Sequence, residues 1–137
     1  MKTVSGSGLK LTPQRMAILG CLEGNRCHPS AEEIFRQVSQ AYPMMSFATV
    51  YNTLSMLRDR GLVLELTIDP TRKRYDPNVT PHHHVICLAC GKIADVHAEY
   101  DLNVPADIAD AFVMSGNHVE FYGTCRACGN AAQPKGE

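Results

Sequence analysis

A chain of 137 residues holds one domain of ordinary size or two small ones. Its 45% apolar and 20% charged content is that of a soluble globular protein, and no apolar run approaches the ~20 residues that cross a bilayer. The net charge of −1 is unevenly spread: residues 1–80 carry ten Lys/Arg against seven Asp/Glu, residues 81–137 three against seven. That asymmetry implies two domains with different tasks. A mildly basic first half permits nucleic-acid binding without demanding it. The N-terminus lacks the apolar core of a signal peptide, which points to a cytoplasmic protein with no membrane partner.

In chain order, residues 1–10 are polar and rich in Gly and Ser, the composition of a flexible tail. Thr12-Pro13 supplies a helix N-cap followed by proline at the first helical position. Met16, Leu19 and Leu22 then recur at helical spacing, with Gly24 as the stop. Ser30-Ala-Glu-Glu33 reads as a capping box opening a second helix that turns Ile34, Phe35, Val38 and Ala41 inward and ends before Pro43. Ser46 caps a third helix, with Val50, Leu54 and Leu57 inward and Gly61 at its end. Beyond Gly61 the period changes. Leu62–Ile68 reads as a strand, Asp69-Pro-Thr-Arg72 as a turn and Lys73-Arg-Tyr75 as the return strand. Three short helices and a basic-tipped hairpin make a winged helix-turn-helix, with the third helix fit for a major groove.

The outer face of that third helix carries Ala48, Thr49, Tyr51, Asn52, Ser55 and Arg58. These groups suit phosphates, base edges and thymine methyls. A solvated helix face has the same composition; Arg72, Lys73 and Arg74 on the wing favour DNA.

In the second half, Val85–Leu88 and Lys92–Val96 read as strands around a Cys87-x-x-Cys90 knuckle. Asn103-Val-Pro105 begins a helix with Val104, Ile108, Ala111 and Phe112 inward, ending near Gly116. Val119–Thr124 is a further strand delivering Cys125-x-x-Cys128, and Ala131–Glu137 reads as a disordered tail. About three strands make a thin core, so a metal staple and oligomerisation are both expected. Cys87, Cys90, Cys125 and Cys128 are the strongest chemical signal: four thiolates form a closed structural Zn²⁺ site, with a glycine after each pair easing the turn beneath it. The competing reading, redox disulfides, lacks a thioredoxin-like βαβ context.

A second set is mixed. On a strand His82 and His84 share one face while His83 takes the other. Asp95 lies on the next strand, Asp76 just upstream and His28 in the first half. Imidazoles and carboxylates suit Fe²⁺, Mn²⁺ or Zn²⁺ without strong choice among them, and a histidine cluster on a surface loop is the plain alternative. Cys21 fits packing in the first helix, and Cys27 an ordinary thiol.

Leu11-Thr-Pro-Gln-Arg15, His28-Pro-Ser-Ala-Glu-Glu-Ile34, Ala48-Thr-Val-Tyr-Asn52, His82-His-His-Val-Ile-Cys87 and the second knuckle occur in an order that resembles the ferric uptake regulator (Fur) family across nearly the whole chain. The resemblance implies an α+β protein: a winged-helix DNA-binding domain over residues 1–78 and a small metal-binding dimerisation domain over 79–137. It implies a homodimeric repressor, not an enzyme, acting on a palindromic double-stranded DNA operator. Structural zinc falls to the four cysteines and a regulatory Fe²⁺ or Mn²⁺ to His28, Asp76, His82, His84 and Asp95. DNA contacts fall to Arg15, Ser46, Ala48, Thr49, Tyr51, Asn52, Arg58, Arg72 and Lys73. Aspartate at position 95 is the usual residue of the peroxide-sensing PerR subgroup, where iron-responsive members usually carry glutamate. In PerR-like proteins iron reacts with peroxide and a ligating histidine is oxidised, which implies His28 and His82 here. An iron-responsive repressor of uptake genes, or a manganese- or zinc-responsive one, is the alternative. A further metal site of many members would fall on Pro81, His83, Leu102 and Asn117, of which only His83 can ligate; His97 and His118 are the candidate substitutes there, with surface or packing roles the expectation for both.

The implied switch is a hinge locked by one ion held from both domains, so that the two reading helices of a dimer meet successive major grooves. Two other classes compete. A zinc hydrolase would use His82, His84 and an aspartate with an open water position, but no general base is evident. A zinc-ribbon interaction module would need no metal-dependent DNA contact.

Overall fold

The computed structural model describes residues 10–132, so all but Lys10 of the flexible tail expected over residues 1–10 lies outside the described residues. The chain divides into two compact units between Thr80 and Pro81. No helix among the described residues is long and apolar enough to cross a membrane.

The first unit is built by three capped helices. Helix α1 (Pro13–Leu22) starts where Thr12 accepts the Arg15 amide, α2 (Ala31–Ala41) where Ser30 accepts that of Glu33, and α3 (Phe47–Asp59) where Ser46 accepts that of Thr49. Each cap satisfies an amide that the helix itself leaves without an acceptor. The return half of the capping box differs from expectation: the Ser30 hydroxyl donates to the Glu33 carboxylate at 3.2 Å. Gly24 and Gly61 follow α1 and α3 with φ of 69° and 71°, which only glycine adopts without strain.

Ile18, Leu22, Ile34, Val38, Val50, Leu54 and Leu57 interlock as the core of this unit. The inward face of α1 is corrected in one respect: Met16 is exposed, and Ile18 and Cys21 take the buried positions beside Leu19 and Leu22. Ala41 at the end of α2 is likewise exposed. Leu54 is fully buried, so Leu54→Ala should cost about 2–5 kcal/mol of unfolding free energy. Urea denaturation of the metal-loaded protein would read this as a lower midpoint.

Strands β1 (Leu64–Leu66) and β2 (Arg74–Asp76) pair antiparallel with Glu65 opposite Tyr75, forming the hairpin. Arg74 does not belong to a solvent-facing basic tip. It is buried, with Nε and Nη2 each 2.9 Å from Asp69 Oδ2 and Nη1 donating to the His28 carbonyl. Burial pushes the Asp69 carboxyl up, but the Thr71 hydroxyl and amide and the Arg74 guanidinium outweigh it and hold it below its ordinary value. This internal ion pair ties the hairpin to the loop that carries His28.

The second unit centres on a three-stranded sheet ordered β4–β3–β5. Strand β3 (His83–Cys87) pairs antiparallel with β4 (Ile93–Val96) and parallel with β5 (Glu120–Gly123). Helix α4 is a single turn, Ala106–Ala109. The side chains expected inward there are not covered: Ile108 and Phe112 are exposed, together with Leu102, Val113 and Met114. Helix α5 (Arg126–Ala132) carries the second knuckle, so Ala131 and Ala132 are helical rather than tail, and residues 133–137 lie outside the described residues.

Candidate metal centres and nucleic-acid interface

The sheet brings all four cysteines of the two knuckles together. Cys87 ends β3, Cys90 sits in the turn before β4, Cys125 follows β5 and Cys128 lies on α5. Their sulfurs all lie within 4.8 Å of one another. Tetrahedral coordination at a Zn–S distance of about 2.3 Å puts sulfurs about 3.8 Å apart, and Cys90 Sγ is 3.9 Å from Cys125 Sγ. All six cysteines are free thiols, so the redox-disulfide reading finds no support. The backbone amides of Cys125 and Cys90 point at Cys87 Sγ from 3.2 and 3.5 Å and pull that thiol down to about 6. Hydrogen bonding to Cys125 and Cys90 holds Cys128 up at about 12. Four adjacent sulfurs ionise together only beside a cation, and soft thiolates at this spacing fit Zn²⁺. Gly91, φ 81°, makes the tight turn of the first knuckle; Gly129 lies inside α5 and needs no such conformation.

The five mixed ligands fall into two sets, one in each unit. In the first unit the loop before α2 carries His28 at φ 52°, a left-handed conformation that histidine adopts more readily than most residues. It faces β2: His28 Nε2 lies 3.4 Å from Asp76 Oδ2, while Asp76 Oδ1 accepts the Asn78 amide at 2.9 Å. Both side chains are buried.

In the second unit His82, just before β3, and His84, on it, bring two imidazoles to one carboxylate of β4. His84 is paired with Asp95 across the ladder. Asp95 Oδ1 lies 3.1 Å from His82 Nε2 and 3.4 Å from His84 Nε2. Convergence of two ring nitrogens and one carboxylate oxygen suits a borderline or hard divalent cation. His83 points the other way, its Nδ1 accepting the Val119 amide at 2.9 Å and its ring against Tyr100. His97 stacks on His82 with centroids 5.2 Å apart. His118, expected to be surface or packing, hydrogen-bonds to His84 instead, Nε2 to Nδ1 at 3.0 Å. The sequence singles out His118 but not this partner, although a signal for it existed: residues 118, 120 and 122 recur at the two-residue spacing of β5 and its approach.

The residues expected to meet DNA lie in the first unit. Along α3, Ala48, Tyr51 and Asn52 are exposed and Thr49 is partly so; Ser46 is committed as the helix cap. Arg15 donates to the Lys10 carbonyl at 2.8 Å. Several cations of this face carry internal partners. Arg58 Nη1 lies 3.0 Å and Lys73 Nζ 3.7 Å from Glu65 Oε1, and Arg72 Nε is 3.9 Å from Asp69. Glu65, which organises the wing beside α3, was also missed, because an acidic residue on a short strand carries no motif.

A winged helix joined to a cysteine-stapled sheet with imidazole–carboxylate sets defines a metal-dependent transcription regulator. Residues 6–122 match the ferric uptake regulator family, and the chain belongs to it; it is a regulator, not an enzyme. It is 38% identical over 130 residues to the peroxide operon regulator of Bacillus subtilis, covering 93% of this chain and 90% of that protein. It is also 38% identical over 124 residues to the peroxide-responsive repressor PerR of Staphylococcus aureus, covering 89% and 84%. Among solved structures, the Helicobacter pylori ferric uptake regulator has the same fold, with a TM-score of 0.72 at 22% identity over 96% of this chain and 90% of that one. PerR from Streptococcus pyogenes gives a TM-score of 0.51 at 32% identity, covering 93% and 88%.

Proposed function

We propose that this chain is a PerR-like repressor that reports hydrogen peroxide through oxidation of a ligating histidine. The observation that carries the reading is the convergence of His82 and His84 on Asp95 within 3.4 Å, in a chain similar over most of its length to two peroxide regulators. Bound Fe²⁺ would supply the redox chemistry that turns peroxide into a local oxidant. The chain's own part is to hold His28 and His82 as the oxidisable ligands. His28 and Asp76 belong to the unit that carries α3 and the wing; His82, His84 and Asp95 belong to the other. Ligation from both units by one Fe²⁺ or Mn²⁺ fixes the angle between them, and with it the placing of α3. Moving such a hinge from mostly open to mostly closed needs ~5.5 kcal/mol of differential binding.

In this reading the first unit is the DNA-binding domain. Arg15, Ala48, Thr49, Tyr51, Asn52 and Arg58, with Arg72 and Lys73 of the wing, face a palindromic operator, while Ser46 shapes the start of the reading helix. The second unit is the zinc-stapled dimerisation domain. Its exposed Phe112, Val113 and Met114 form an apolar surface of the kind a second copy covers.

Operator binding by protein loaded anaerobically with Fe²⁺ or Mn²⁺ tests the proposal. Peroxide should release the Fe²⁺ form from DNA and add one oxygen atom to His28 or His82, read by peptide mass spectrometry, while the Mn²⁺ form stays bound. An Fe²⁺ form that keeps its operator through peroxide treatment would replace this reading with the iron-responsive one.

A further inference from the structure

Behind His84 stands a chain of polar side chains that the metal-site reading does not use. His84 Nδ1 lies 3.0 Å from His118 Nε2. His118 Nδ1 lies 3.7 Å from Glu120 Oε1, and Glu120 Oε2 accepts the Tyr122 hydroxyl at 2.6 Å. All four residues belong to the second unit, on β3 and on β5 and its approach.

We propose that His118, oriented by Glu120, is a positioning residue for the regulatory ion, fixing the tautomer and ring angle of His84; this rests on the assignment of His84 as a ligand. Proton placement carries the argument. His84 Nε2 is the nitrogen turned towards Asp95, 3.4 Å away, so a metal taken there needs that lone pair. The ring proton must then sit on Nδ1, where it donates to His118 Nε2. For His118 Nε2 to accept, its own proton must sit on Nδ1, on the side of the Glu120 carboxylate. The Tyr122 hydroxyl donates to the other oxygen and holds that carboxylate in place. Both imidazole protons then point away from the metal, and the carboxylate at the end of the series is held from its far side by the Tyr122 hydroxyl, which donates back to it. This extends by one imidazole the carboxylate–histidine support that metal-ligating histidines commonly use, whose loss typically costs 10–100-fold in metal affinity.

The ring of His118 can be removed without loosening its segment. The neighbouring backbone is held separately, by the Val119 amide on His83 Nδ1 at 2.9 Å and the His84 amide on the Val119 carbonyl at 3.3 Å.

Calorimetric titration of the full-length zinc-loaded protein with Mn²⁺ tests this, using His118→Ala, His118→Gln, Glu120→Gln and His84→Ala. His118→Ala should weaken Mn²⁺ binding about 10–100-fold at unchanged stoichiometry and zinc content. Glutamine at 118 places an acceptor near the lost Nε2 and should recover most of the affinity. Glu120→Gln should give a smaller loss and also serves if His118→Ala folds poorly. Wild-type affinity in both His118→Ala and Glu120→Gln overturns the proposal, and so does a fall in stoichiometry, which would make His118 a ligand of its own site. If His84→Ala also binds Mn²⁺ normally, it is the metal-site reading that has failed.

Discussion

Replacing Cys125 with serine should empty the four-sulfur centre and unfold the second unit. The reason is the size of its core: among the described residues of that unit, the buried apolar side chains are Ile86, Cys87 and Ile93, and the apolar residues around α4 are exposed. A unit this small is held by its staple. Structural zinc contributes about 10–16 kcal/mol of apparent binding free energy in zinc-finger peptides, against a net stability of about 5–15 kcal/mol for a whole domain. Elemental analysis should show zinc falling to background, and circular dichroism the loss of the β signal with the helical signal of the first unit retained. A variant that keeps its zinc, or loses it and melts as the wild type does, would contradict the assignment.

His28→Asn should abolish metal-dependent operator binding while leaving zinc content untouched. Asparagine suits the left-handed backbone at this position, so the variant tests the imidazole and not the loop. Removing one ligand takes away the first unit's nitrogen donor and leaves Asp76 as its sole contribution to the proposed site. Losses in the supporting shell of metal sites already cost about 10–100-fold, and loss of a ligand should exceed that. Fluorescence anisotropy of labelled operator against Mn²⁺ would read it. A His28→Asn protein with the wild-type Mn²⁺ dependence would remove the hinge from the account, leaving the zinc centre and the winged helix intact.

Local chemistry was what the sequence displayed best. The caps at Thr12, Ser30 and Ser46 each need only a hydroxyl and an amide three residues on, so they are visible in a string of letters and appear in the fold. The knuckles are equally local, since ligand spacing limits how sulfurs can meet. The alternation of His82, His83 and His84 required only that the segment be a strand. What failed depended on partners distant in sequence. Ile108 and Phe112 have an inward-facing pattern, but periodicity does not say whether the covering surface belongs to the same chain. Arg74 reads as a basic wing tip until the His28 carbonyl, 46 residues away, and Asp69 hold it inward. The His118–Glu120–Tyr122 series was written at strand spacing, yet its meaning came only from the parallel pairing that sets Glu120 beside His84.

Strand β3 carries His84 near one end and Cys87 at the other, three residues or about 10 Å apart. Damage therefore propagates in one direction along it. On the proposed reading, altering an imidazole should leave the backbone ladder and the sulfur cluster standing, so that the protein falls silent while keeping its shape. Stripping the sulfurs should melt the ladder and take His84 with it. The arrangement gives the molecule a mild mode of failure and a total one, with the mild one at the imidazole end.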